Sequence, residues 1–306
     1  MIEAGLVAAR SLHFAAVLAL FGLALFPLYS YPGREPPPRL GHWLRNAMCW
    51  AATLALLSNL AWGLFTVANM VGSLNGVADR DTLLSIGLKT SFGQIWVACL
   101  ALVMMLLALL AGDHLRNWII LFLAAALLAS LALVGHTQTS DGALLLAHMS
   151  ADGTHLLAAG AWLGGLLALG YLLTLVRRFP SAEHNAQAIE VFVRFSGMGY
   201  AAVAILIGSG LVNAWVLVGS PERLTMTPYG QLLLVKMCLF AGMLAFAAHN
   251  RFRLIPALQS WKEGNLPASS LRVLRRNVIG EQMLGLAIVL IVGWLGTLQP
   301  PITGSQ

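Results

Sequence analysis

Between residues 136 and 155 the chain carries His136, Asp141, His148, Asp152 and His155, and from Asn117 to Val176 it has no lysine or arginine. Imidazole and carboxylate suit a divalent transition metal, and a stretch free of fixed positive charge lets a cation approach. His148, Asp152 and His155 are spaced i, i+4, i+7, which is one stripe of a helix; Trp162 falls on the same stripe two turns further along. His136 follows Gly135, and a loop of about a dozen residues returns the chain to His148, so the flanking helices are neighbours. One histidine at a membrane boundary is an ordinary polar anchor. Several at stripe and short-loop spacing make a candidate site for copper, zinc or nickel.

The elements that position these groups belong to a membrane. Hydrophobic residues make up 58% of the 306 positions and charged residues 10%. Eight apolar runs are readable, near 5–29, 46–71, 90–111, 117–135, 147–176, 196–219, 230–250 and 278–298. Each approaches the ~20 residues a helix needs to cross the hydrocarbon. They are too long and too uniformly apolar for barrel strands, and a lone segment in lipid must satisfy its own backbone, so helices are predicted. The first run lacks a basic leader and is too long for a signal sequence, so it reads as a retained helix.

The net charge of +6 follows topology and gives no reason to expect nucleic acid. Apart from Arg10, Arg80, Lys89, Arg223 and Lys236, every Lys and Arg lies in the connections 30–45, 112–116, 177–195 and 251–277. The positive-inside rule puts those connections in the cytoplasm and both termini outside it. The basic segment 251–277 reads as an amphipathic linker lying on anionic membrane lipid. The three cysteines, Cys49, Cys99 and Cys238, show no disulfide framework. There is no P-loop, dinucleotide fingerprint or HExxH, and no nucleophile elbow frames Ser140-Asp141, so nothing points to an enzyme.

The chain reads as a duplication. Leu12-His13-Phe14 leads to Gly22, and Thr154-His155-Leu156 leads to Gly164, each glycine nine residues after its histidine. Thr90-Ser91-Phe92-Gly93-Gln94 matches Thr227-Pro228-Tyr229-Gly230-Gln231. Four helices per half is an even number, so the halves run parallel, and sites in such folds lie where the halves meet. The expected architecture is an all-α polytopic membrane protein, eight transmembrane helices in two parallel four-helix repeats, 1–145 and 146–306, with both termini periplasmic. His13 and His155 then sit at one depth, roughly 12 Å below the outer surface, and converge if the halves pack around a twofold axis. Arg10 and Asp152, each three residues earlier, read as an ion pair across that interface.

The metal candidates are therefore His155, His13, His148, His136 and Asp152. Secondary candidates are Met48, Cys49, Cys99, Met104, Met237 and Cys238, whose sulfurs suit Cu(I) and could relay an ion inward, although such residues are ordinary packing in a helix core. Glu281 is a further secondary candidate, with pairing to Arg251 or acceptance from Asn250 as its structural role. Lys236 can snorkel outward. Gly160 and Gly164 form a GxxxG element, which argues for close helix contact.

These residues also carry a family resemblance. Arg10-Ser11-Leu12-His13-Phe14 with Phe21-Gly22, Gly135-His136, and His148 with His155-Leu-Leu-Ala-Ala-Gly-Ala-Trp162-Leu-Gly164-Gly165 resemble the copper resistance protein D family of bacterial inner-membrane proteins. His249-Asn250-Arg251 and Glu281 with Leu284-Gly285 fit it too, so the likeness runs the length of the chain. It implies copper homeostasis, Cu(I) or Cu(II) as the ion, movement across the inner membrane, and a periplasmic copper-binding partner of the copper resistance C type. Two rivals stand beside it. One is a membrane electron carrier holding a b-type haem between His13 and His155. The other is an assembly or sensor protein that holds copper without transporting it.

Overall fold

A computed structural model describes residues 1–74, 79–112, 117–134, 142–260 and 268–301. Helices are the only regular structure among them: α1 (Ile2–Ser30), α2 (Pro38–Val71), α3 (Arg80–Lys89), α4 (Ser91–Ala111), α5 (Asn117–Ser130), α6 (Gly142–Arg178), α7 (Ala182–Val218), α8 (Pro221–Met226), α9 (Pro228–His249), α10 (Ile255–Gln259) and α11 (Ala268–Leu295). A 3₁₀ turn, Leu131–Leu133, extends α5, and a π-helical turn, Asn250–Leu254, joins α9 to α10.

Among the described residues seven helices are long and apolar enough to cross a bilayer, and Asn117–Leu133 is a shorter apolar helix where the fourth run was expected. Runs two, five and six extend further than their apolar cores, because polar and charged turns continue them into the headgroup region. Two short helices, α3 and α8, lie in stretches that read as loops. They are too polar to span, and each delivers the chain to a capped membrane helix. Thr90 accepts from Gly93 N at 3.0 Å to cap α4, and Thr227 accepts from Gly230 N at 3.1 Å to cap α9. Gln94 and Gln231 each donate six residues back, to Leu88 O and Thr225 O, pinning the short helix to the long one.

The core lies along α1 and α6, the two most buried spans, while α9 is the least buried. α1 packs against α2, α5, α6 and α11. It meets α6 at glycines: a Cβ on Gly164 would sit 2.7 Å from the Cα of Gly22, and one on Gly22 would strike the carbonyl of Gly160. With no hydrophobic force between helices in lipid, close backbone approach through small residues holds the pair together. Trp50, Trp118, Phe122 and Trp215 stand exposed on the outer surface of the bundle, where acyl chains would cover them.

Candidate functional site

His13 is fully buried on α1. Its Nδ1 lies 3.1 Å from Ala55 O and 3.2 Å from Ser58 Oγ on α2. A backbone carbonyl only accepts, so Nδ1 carries the proton. That leaves Nε2 with a free lone pair, and it has no hydrogen-bond partner. The ring lies against Trp62, its centroid 5.5 Å from the indole's.

His155 is held the same way on α6. Its Nδ1 lies 2.9 Å from Ser209 Oγ on α7, and the ring also senses the backbone of Leu206. Ser58 and Ser209 each donate one turn back, to Leu54 O and Ile205 O. Each serine hydroxyl therefore has its proton committed and presents a lone pair to the histidine N–H. Metal-binding histidines ordinarily donate their second ring nitrogen to such a group, which fixes tautomer and orientation. The sequence reading missed Ser58 and Ser209. The available signal was a serine within the long helix that follows each histidine-bearing helix.

His148 is buried one turn before Asp152, its Nδ1 without a partner, and interacts electrostatically with that carboxylate. Asp152 accepts from Asn213 Nδ2 at 3.1 Å and lies within the field of Lys236. The expected Arg10–Asp152 pair is not made. Arg10 lies over the Trp62 ring at 5.2 Å and fills the space beside Gly296. Lys236, expected to snorkel away, is half-buried and lies within the electrostatic reach of Asp152, without an ion pair to it. His148, Asn213 and Lys236 thus all act on Asp152.

His136 and Asp141 lie outside the described residues. Among the described residues no three His, Cys, Asp or Glu side chains come together closely enough to hold a metal ion. The sulfur candidates scatter. Met48 is buried in the core and Cys49 half-buried, and Cys99 is buried against Ser130 Oγ at 3.2 Å. Met104, Met237 and Cys238 are exposed on the outside of the bundle. Glu281 is buried and accepts from Asn250 Nδ2 at 2.8 Å and from Trp162 Nε1 at 3.3 Å, the first being the structural contact the sequence suggested.

A bundle of long apolar helices with ionisable groups buried between them is a multi-pass α-helical membrane protein. Residues 1–146 match the family described as Copper resistance protein D-like, N-terminal domain, and residues 189–295 match Copper resistance protein D. The chain is 30% identical to Inner membrane protein YebZ of Escherichia coli, over 96% of its own length and 98% of that protein. It is 29% identical to Copper resistance protein D of Pseudomonas syringae, over 98% of both chains. It is also 31% identical to Copper transport protein CutJ of Bacillus subtilis, over 80% of this chain and 46% of that longer one. This chain belongs to the copper resistance protein D family and is a multi-pass inner-membrane protein. The family's names denote copper resistance and transport rather than catalysis. No solved structure matches it.

Proposed function

We propose that this protein binds copper at a periplasm-facing histidine site and moves it across the inner membrane. The reading rests on the matched state of His13 and His155. Each directs its Nδ1 proton to a neighbouring helix, which leaves Nε2 as a free ligand nitrogen. His148 and His136 take the ion near the surface, Asp152 supplies negative charge, and His13 and His155 receive it deeper in. Copper is the ion because relatives carry copper resistance and copper transport in their names, and imidazole nitrogen suits it. A copper resistance C-type protein serves as the periplasmic donor.

The architecture proposed with it is two parallel four-helix repeats, 1–145 and 146–306. It has eight crossings if Asn117–Leu133 is counted, and both termini are periplasmic. In support, the histidine–serine contact, the serine back-bond and the threonine cap each occur once in either half.

Copper titration of purified full-length protein, compared with the His13→Ala/His155→Ala double variant, tests the reading. Loss of stoichiometric binding in a variant that still elutes as a folded species is the expected result. Unchanged binding would end it. A Soret band in the purified protein would replace copper with haem, and copper binding without flux into proteoliposomes would leave a holding protein.

A further inference from the structure

We infer that Glu281 is a proton-exchange site, reached through a cavity that it lines together with Trp162. Glu281 lies near the middle of α11, and each contact the structure gives its oxygens is with a donor: Asn250 Nδ2 on one, Trp162 Nε1 on the other. Asn277 Nδ2 donates in turn to Asn250 Oδ1 at 2.7 Å, which fixes the amide of Asn250 with its NH₂ toward Glu281. No ion pair reaches the carboxyl among the described residues. A carboxylate buried between apolar helices without a countercharge is strongly disfavoured, which favours uptake of a cation. The smallest is a proton.

A cavity of about 240 Å³ opens beside it between α6, α7, α9 and α11. It has room for several waters at ~30 Å³ each. Leu166, Leu244 and Leu274 line its walls, and Arg251 stands on its border. Tyr200 and Arg251 are the other titratable or charged side chains facing it; α6 presents Trp162, Leu166 and Leu169, and α9 presents leucine and alanine. Arg251 lies over the Tyr200 ring at 5.5 Å and makes no ion pair with Glu281. Trp162 lies two turns beyond His155 on α6, about 10 Å along the helix, and lines the cavity. In the exchange, the Glu281 carboxylate takes a proton from a hydronium ion entering the cavity, one O–H bond of the hydronium breaking as the carboxyl O–H forms and water being left behind, and the reverse step returns it. No metal takes part, so this inference stands apart from the copper reading.

Infrared difference spectra between acid and alkaline pH test it, using metal-free full-length protein in lipid nanodiscs. The expected result is a carboxylic C=O band that titrates in the wild type, is lost completely in Glu281→Gln, and shifts in frequency in Trp162→Phe and Asn250→Ala. A titrating spectrum identical in wild type and Glu281→Gln would overturn the proposal. If Glu281→Gln does not fold, the two donor variants decide alone, and an unmoved band in both would overturn it equally. Access is read separately, in a background with Cys49, Cys99 and Cys238 changed to Ala. Ser196→Cys on the cavity wall should react with a water-soluble maleimide, and failure to react would refute the water route.

Discussion

Gly22 and Gly164 touch backbone to backbone where α1 crosses α6, with no room for a Cβ on either. The two glycines stand nine residues beyond His13 and His155, so the crossing sets how the two histidine-bearing segments lie against each other. Substituting Gly164 by Val should force the helices apart. Overpacking ordinarily costs about 1–3 kcal/mol, and here the obstruction is backbone, which cannot swing away. Thermal unfolding in detergent should show a clear drop, with copper affinity falling alongside. A variant as stable as wild type would mean the crossing is looser than it stands.

Ser58 and Ser209 should matter to copper without touching it. Removing an outer-shell partner of a ligand histidine typically lowers metal affinity about 10–100-fold. Ser58→Ala and Ser209→Ala should each do so in a competition titration while leaving the fold intact. If affinity holds in both, the histidine–serine contacts are packing only.

Lys236 and Asp152 should behave as a coupled unit. Each lies in the other's field with no ion pair between them, so removing one leaves the other charge less compensated. Lys236→Met alone should therefore destabilise, and Lys236→Met with Asp152→Asn should recover part of the loss. A double-mutant cycle read by thermal unfolding checks this, and strict additivity would show that the two charges do not sense each other.

Thr90 and Thr227 make matching caps, so Thr90→Ala and Thr227→Ala should cost similar amounts, each about 0.5–2 kcal/mol. Hydrogen exchange at the first turns of α4 and α9 would report the fraying directly. A loss confined to one helix would contradict the equivalence of the two caps.

Arg10 shows why some of the site could not be read from spacing. Its position three residues before His13, opposite in sign to Asp152, suggested a pair. The side chain instead lies on Trp62, and Asp152 finds Asn213 and Lys236, from helices far away in sequence. Linear spacing gives what one helix presents on one face; it does not say which neighbouring helix arrives there. Glu281 went the other way. Its nearest polar residue of matching chemistry was Asn250, and that contact is present, although its second partner, Trp162, comes from α6.

What the sequence determined by itself is what the bilayer enforces. Long apolar runs must be helices because lipid offers their backbone no other partner, and the threonine and glycine positions that begin or abut those helices act locally. Family membership was legible for the same reason, since its motif sits within single helices. Tertiary structure alone decided the partners: serine for each imidazole, asparagine for Asp152, tryptophan for Glu281. Those choices depend on the angle and register at which helices cross, and these are fixed by where small residues let backbones meet, a property of two surfaces together.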